Sequence, residues 1–409
     1  MLKIGIIGAG SRGIGCFGKL VTGRDDAEVT ALADPNSARM EAAARMLGRK
    51  MNFYTSVEEM LKNEHLDGVV ITSPDYTHQE NALLAIKYGV HVLVDKPLAT
   101  TADGCERIIR AARKKNLEVS VGFNLRHVPM LMKIKDLIDS GAIGNLMLIE
   151  NREFYDGGRT YMSRWNRKYE WSGGLWVHKG SHDFDIFNWW NSSGTPVRVS
   201  AFAGVNALRP EGIPFDIDEN KPVGPICSRC AYKKECPDAV PEAARGSLFG
   251  AEAVEVDGYV RDKCLFLSDK DTHDNGVAIV EYDNNVRASH IECFICNFTD
   301  RRYTIIGDRG IITASLETPK SVTLSPRWGD EDHIIHVPPA PEGGHGGADP
   351  GLVARFIECL KTGNLSSSTG RDGIRSVAVG EAAEKSWREH RMVEISELAD
   401  LNDPVLQSI

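Results

Sequence analysis

From Leu2 to about Phe123, short apolar runs alternate with stretches in which apolar residues recur every three or four positions. The runs are Ile4-Gly5-Ile6-Ile7, Val29-Thr30-Ala31-Leu32, Val69-Val70-Ile71-Thr72, His91-Val92-Leu93-Val94 and Val119-Ser120-Val121. Continuous apolar strands separated by helical segments predict a parallel sheet wound by crossover helices. Gln79 to Tyr88 and Asp103 to Asn116 carry the spacing of amphipathic helices.

Beyond about Met130 the rhythm changes. A helix is expected near Leu131 to Ile138, then alternating runs at Val197 to Val205, Val277 to Tyr282, Val286 to Phe294 and Tyr303 to Ile306. Asn284-Asn285 between two of them suits a hairpin turn, so this half reads as a largely antiparallel sheet. Arg209 to Lys270 interrupts it with Pro, Gly and Cys and little periodicity, as an inserted loop or lid would. A second long loop is expected from Val337 to Gly351, followed by helices at Leu352 to Leu360 and Arg371 to Glu389.

The fold class is therefore α/β: a doubly wound Rossmann sheet over residues 1–123, then an α+β domain with a large, mainly antiparallel sheet over 124–389. The Cys-containing insert spans about 209–270 and a tail 390–409. A length of 409 residues suits two domains with a core each.

Charge narrows the ligand class. Lys and Arg total 48 against 57 Asp and Glu, a formal charge of -9 that gives no general attraction to nucleic acid or anionic lipid. A small neutral or weakly charged ligand fits better. No apolar run is long enough to span a bilayer, and residues 1–10 read as strand and turn rather than a leader, so the expected compartment is cytoplasmic. Nine cysteines, an odd number with several clustered, favour reduced thiols or a metal site over a disulfide framework.

Gly8-Ala9-Gly10-Ser11-Arg12-Gly13 follows the first strand and opens the first helix. The first two glycines permit a tight turn and close approach of backbone to a pyrophosphate, and the third lets helix and strand pack. Without a second signal this is equally a ligand-free turn. That signal is Asp34 at the end of the second strand, placed to accept bonds from adenosine ribose hydroxyls. A 2'-phosphate would meet repulsion there, which favours NAD over NADP, although a mobile Arg39 could soften the preference.

These motifs, with Asp34-Pro35, Thr72-Ser73-Pro74 through His78, Asp95-Lys96-Pro97, Val121-Gly122-Phe123-Asn124, and Gly173-Gly174 followed by His182 and Asp185, resemble the glucose-fructose oxidoreductase, inositol dehydrogenase and rhizopine-catabolism family, Gfo/Idh/MocA. The resemblance covers nearly the whole chain. It implies a Rossmann domain, a larger open sheet, catalysis in the cleft between them, and a homodimer or homotetramer joined through the outer sheet face. Thr72, Pro74, His78 and Asn124 match positions that line the cofactor in the family.

The resemblance also implies an NAD-dependent oxidoreductase of sugars or polyols, and it sharpens Lys96 and His182. Lys96 lies at the carboxyl end of a parallel strand, the edge where ligands bind, and its ammonium would stabilise a developing alkoxide. His182 matches the family's general acid/base, with an imidazole suited to proton exchange near neutrality. Two departures stand out: Asp95 replaces the usual Glu, and His178 stands where the family has a substrate-holding Asp. On a continuous helix His178 and His182 would share a face with Asp185, a spacing that serves paired hydrogen bonds or a divalent metal.

Arg152, Tyr155, Tyr161, Arg164, Trp165 and Trp176 cluster around this segment as candidate substrate-wall residues, with His178 and Asp185, because aromatic faces stack on sugar rings and arginines bond hydroxyls or carboxylates. Trp189 and Trp190 read as packing. In the insert, Cys227, Cys230, Cys236 and Cys264 could close a structural zinc site or remain free thiols. Cys293 and Cys296 read as packing residues on opposite strand faces. Two other functions are compatible with the residues: a redox-neutral NAD-dependent glycosidase or lyase, and a non-catalytic, cofactor-bound sugar sensor.

Overall fold

The computed structural model describes residues 1–241, 246–317, 320–329, 331–338, 347–364 and 366–407. Most of the loop expected between 337 and 351 lies outside them.

The first sheet contains β1 (Leu2–Ile7), β2 (Ala27–Ala33), β3 (Asn52–Tyr54), β4 (Gly68–Ile71), β5 (His91–Val94) and β6 (Val119–Val121). They pair in the order β3-β2-β1-β4-β5-β6, all parallel. The order reverses between β1 and β4, which opens a crevice at their carboxyl ends. Crossovers run through a π-helical turn, Ser11–Gly18, continuing as α1 (Lys19–Thr22), then α2 (Ser37–Leu47), α3 (Val57–Asn63), α4 (His78–Lys87) and α5 (Ala102–Arg113). Asn36, Ser56 and Thr101 cap α2, α3 and α5 by accepting from backbone N–H groups.

After α6 (Pro129–Asp139), β7 (Leu146–Phe154) enters the second sheet. Four helical segments follow: α7 (Gly158–Tyr161), α8 (Tyr169–Ser172), α9 (Leu175–His178) and α10 (Ser181–Trp190). The sheet is completed by β8 (Pro196–Gly204), β9 (Asn275–Tyr282), β10 (Arg287–Cys293), β11 (Asp300–Gly307), β12 (Gly310–Ser315), β13 (Ser321–Pro326), β14 (His333–Ile335) and β15 (Val393–Glu394). Its order is β14-β13-β12-β11-β7-β10-β9-β8-β15, antiparallel except for the parallel pair β7 and β10. The segment 390–407 is thus more than a tail, since β15 closes the sheet edge against β8.

Among the described residues, the insert holds one two-turn helix, α11 (Ala251–Asp257). The chain returns through α12 (Asp349–Thr362), α13 (Gly370–Glu389) and α14 (Pro404–Gln407). α13 packs on α5 of the first half and on α9, α10 and β8 of the second. One apolar core accordingly runs from Val92, Val94 and Ile108 through Val377 and Ala382 to Phe184, Val199 and Val280. At Gly380 an added Cβ would stand 2.7 Å from the Trp176 carbonyl oxygen, so this crossing requires glycine.

Candidate active site

The crevice between the two sheets holds a cavity of about 1490 Å³, larger than a typical pocket for one small ligand. One end is the glycine turn. Gly8 has φ +99°, and a Cβ there would sit 2.6 Å from the Ser73 nitrogen, so only glycine fits. A Cβ on Gly13 would meet the Gly8 oxygen at 2.2 Å; this glycine serves the crossing of helix and strand. Gly10 is different, because a Cβ would reach only the Phe249 ring, at 3.9 Å, which leaves open the face a phosphate would approach.

Asp34 is buried at the end of β2. Its Oδ2 accepts from Ala9 N at 2.8 Å and its Oδ1 from Asn36 N at 2.9 Å, which pins the carboxylate beside the glycine turn. Arg39 is not mobile. It is buried between Asp34 at 3.2 Å and Asp257 of α11 at 2.7 Å, over the Phe249 ring at 4.9 Å. Both negative partners oppose its use as a 2'-phosphate ligand. The glycines, the ribose-side carboxylate and the open Gly10 face together fit NAD.

Ser11 and Arg12 both line the cavity. Arg12, expected among the cofactor ligands, spends its guanidinium on Asp95 (Nε to Oδ2, 2.9 Å) and Asp349 (Nη1 to Oδ2, 3.2 Å). It braces the turn that carries Lys96 instead. Thr72, Pro74 and His78 line the wall, and the His78 ring nitrogens lie 2.7 Å from the Pro97 oxygen and 2.9 Å from the Ser73 oxygen. Asn124 is displaced from its expected place: it lies behind the wall, wholly buried, with Nδ2 donating to Asp349 at 2.7 Å.

Lys96 stands two residues past the end of β5, and its Nζ donates to the His178 carbonyl oxygen at 2.5 Å. Burial pulls the Lys96 ammonium down to about 8, against the opposing pull of Asp75 and then Asp95. Burial likewise pushes the Asp75 carboxyl up to about 7. Burial alone would also raise Asp95, but the Arg12 fork holds its carboxyl below the ordinary value. His182 lies on the first turn of α10 and lines the same cavity as Lys96, its ring centroid 6.5 Å from that of Phe123.

His178 lines the cavity but is not placed for acid/base work. Its Nδ1 donates to Asp75 at 2.6 Å, and its Nε2 accepts from Asn166 Nδ2 at 2.8 Å. Burial, then Lys96 and Lys179, hold it well below its ordinary pKa, so it stays neutral as a strut between Asp75 and Asn166. α9 ends at His178 and α10 begins at Ser181, so the single helix needed to align His178, His182 and Asp185 is broken. Asp185 points away, into a buried fork with Arg126 at 2.7 and 2.9 Å. It belongs to the core rather than to a substrate or metal site.

Among the expected wall residues, Tyr155, Tyr161, Arg164 and Trp165 line the cavity. Arg152 does not: the alternation of β7 turns it to the outer sheet face, half exposed and paired with Glu150 at 3.0 Å. Trp176 is a core residue, its ring 4.7 Å from that of His273.

Sequence reasoning allows Lys179 as a cation of the cleft, but several other wall residues escape it. Asp75 follows Pro74 inside a motif already noted, and that position is the one signal for it. Lys179 ion-pairs with Glu153 at 2.7 Å, and Arg301 bridges Glu153 at 2.8 Å and Asp183 at 2.9 Å. Phe249, Asp257, Tyr259 and Arg261 come from the insert, where aperiodic sequence offers no guide. Arg261 donates to Ser11 Oγ at 3.2 Å while covering Phe249 at 4.2 Å, so the insert forms a third wall over the glycine turn.

In the same insert, Cys227 N donates to the Asp262 oxygen and Cys264 N to the Pro225 oxygen, each at 2.7 Å, so two thiol-bearing segments run side by side. The four cysteines do not close into a coordination shell. Among the described residues, the group whose possible ligand atoms lie within 4.8 Å of one another is Glu153, His290 and Glu292. Those carboxylates are already engaged by Lys179, Arg301 and His273. Cys293 and Cys296 depart from their expected opposition: β10 ends at Cys293, and the two thiols stand in hydrogen-bond contact.

Comparison with known proteins places this cleft in context. The model of the oxidoreductase family's NAD-binding Rossmann fold matches residues 2–123, and that of its C-terminal alpha/beta domain, under the same Gfo/Idh/MocA heading, matches 135–395. A Bacillus subtilis protein named as an oxidoreductase, YteT, is 28% identical over 98% of this chain and 100% of its own length. Inositol 2-dehydrogenase 2 of Saccharopolyspora erythraea is 31% identical over 46% of this chain and 53% of that protein. Levoglucosan dehydrogenase in complex with NADH and L-sorbose aligns with a TM-score of 0.75 at 18% identity, covering 100% of both chains. The Bordetella pertussis WlbA dehydrogenase in complex with NADH and UDP-GlcNAcA aligns at 0.69 and 18% identity, over 96% of this chain and 98% of that one. At such identities these two likenesses establish the fold.

Proposed function

Because this chain belongs to the Gfo/Idh/MocA oxidoreductase family, we propose that it interconverts a hydroxyl and a keto group on a sugar, inositol or glycoside, with NAD as its dinucleotide. The observation that carries the reading is that Lys96 and His182 line the same cavity as the glycine turn and Asp34.

Gly8, Gly10 and Ser11 would hold the pyrophosphate and Asp34 the adenosine ribose; bound NAD supplies the acceptor for hydride. Lys96 donates a hydrogen bond to the reacting oxygen and offsets the negative charge that builds there. The carbonyl of His178 aims the ammonium, and Asp75 favours its charged form. His182 takes the hydroxyl proton and returns it in the reverse direction. His178, held neutral, keeps Asp75 and Asn166 in place. Tyr155, Tyr161 and Trp165 present aromatic faces to the ring and exclude water.

A panel of polyols and glycosides, incubated with NAD and followed by NADH absorbance and product identity together, tests this reading. NADH formed in step with a keto product supports it; cleavage without net NADH replaces it with redox-neutral elimination.

The outer sheet face carries Phe202 at 78% exposure and Ile279 at 52%, with Val277 and Ile291 beside them, an apolar area suited to a homodimer or homotetramer contact. Cys227, Cys230, Cys236 and Cys264 remain the set of insert thiols that a structural zinc would draw together; burial pushes the Cys227 and Cys236 thiols up, so their thiolates would form on binding the metal. About one zinc per chain by elemental analysis is expected; its absence from gently purified protein removes that assignment.

A further inference from the structure

The cations that line the cavity differ in how their charge is compensated. Arg12 is forked onto Asp95 and Asp349, Arg39 lies between Asp34 and Asp257, and Lys179 and Arg301 share Glu153. Arg164 has no such arrangement. Among the described residues no hydrogen bond or ion pair reaches its side chain, and its buried Nε has no partner. Burial pulls the guanidinium below its ordinary pKa, opposed only by the phenols of Tyr259, Tyr155 and Tyr161, with no carboxylate among them. A half-buried guanidinium whose Nε is shut off from water and left without an anion is costly, so its place in a cavity wall points to a charge arriving from outside.

The neighbours indicate which end of the cavity it serves. Tyr161 and Trp165 flank Arg164 in sequence, and each ring stands nearly perpendicular to that of His178, with centroids 5.6 and 5.4 Å apart. The carbonyl of that same His178 holds Lys96. Tyr155 lies tilted against Tyr161, with centroids 5.7 Å apart, and carries the Lys179 ammonium over its face at 4.4 Å. Arg261, the other guanidinium in this wall without a carboxylate, donates to Ser11 of the glycine turn and stands near enough to Arg164 to repel it, so Arg164 lies between the phosphate end and the His178 end.

We propose that Arg164 is the carboxylate-binding residue of the substrate site, and that the preferred substrates are sugar acids, uronates or aldonates, rather than neutral polyols. A planar guanidinium matches a carboxylate through two parallel hydrogen bonds, and the surrounding phenols keep water from competing. The inference rests on the assignment of this end of the cavity to substrate, and it selects a class within it.

Binding of D-glucuronate, D-galacturonate and D-gluconate to the NADH-loaded protein, beside D-glucose, D-galactose and sorbitol, is measured by calorimetry for the wild type, Arg164→Leu and Arg164→Lys. The wild type is expected to bind at least one acid about tenfold or more tightly than its neutral counterpart. Arg164→Leu should abolish that ratio and Arg164→Lys restore part of it, with NADH affinity unchanged. No preference for acids in the wild type overturns the proposal. So does an Arg164→Leu protein that keeps the ratio but loses NADH, since the guanidinium would then serve the cofactor's phosphates. Because binding is read without turnover, an Arg164-dependent acid site in a protein that forms no NADH would count against hydride transfer alone.

Discussion

The Lys96 ammonium donates to the His178 carbonyl oxygen at 2.5 Å, a bond that crosses from the edge of the parallel sheet to the end of α9. The lysine is thereby aimed by backbone rather than by a carboxylate. Lys96→Ala and His182→Ala should each lower kcat by about a hundredfold or more while NAD affinity stays nearly constant, as expected for groups that act on the reacting oxygen. Stopped-flow turnover and equilibrium titration check both halves. Near-normal turnover in both variants would remove the assignment.

The charged form of Lys96 depends on Asp75. Burial lowers the ammonium to about 8 and the nearby carboxylate raises it, so Asp75→Asn leaves the burial penalty without its main offset. The pKa of Lys96 must then fall, and the alkaline limb of kcat/KM should move to lower pH by about one unit. A pH profile with its alkaline limb unmoved would show that another group controls it.

Cofactor preference hangs on Arg39. Clamped by Asp34 and Asp257, it has no freedom to meet a 2'-phosphate. Asp257→Ala releases one side, and the NADP-to-NAD affinity ratio is expected to rise about tenfold in fluorescence titrations. An unchanged ratio would leave Asp34 as the sole discriminator.

Asp185 and Arg126 contribute to stability rather than chemistry. Arg126→Met strips the fork from a carboxyl that burial already pushes up to about 7, and should cost about 3–5 kcal/mol in urea unfolding. The folded-state pKa lies above the unfolded one, so the penalty is absent where the carboxyl is protonated and full once it ionises. The loss should therefore be smaller at pH 5 than at pH 8, with the difference developing as pH rises through about 7.

The two sheets, their crossover helices and the glycine turn were legible because apolar periodicity encodes them directly. Lys96 and Asp34 were legible because both sit at the carboxyl ends of parallel strands, where position alone implies a site. Arg152 was misplaced by the strand alternation that turns it outward, and Asp185 by a helix break at Lys179-Gly180 whose local signal is Gly180 itself. Arg39 could not be read as locked, since its second partner, Asp257, lies 218 positions away in an aperiodic insert. Contacts of that range leave no imprint on local pattern.

α13 packs on α5 of the first half and on β8 and α10 of the second, and its Gly380 crosses too closely to the Trp176 backbone to slide freely. A single rod wedged through both halves stiffens the molecule against clamshell motion. Ligands then meet an opening already shaped before they arrive, and heat should disassemble both halves in one concerted step instead of releasing them in turn.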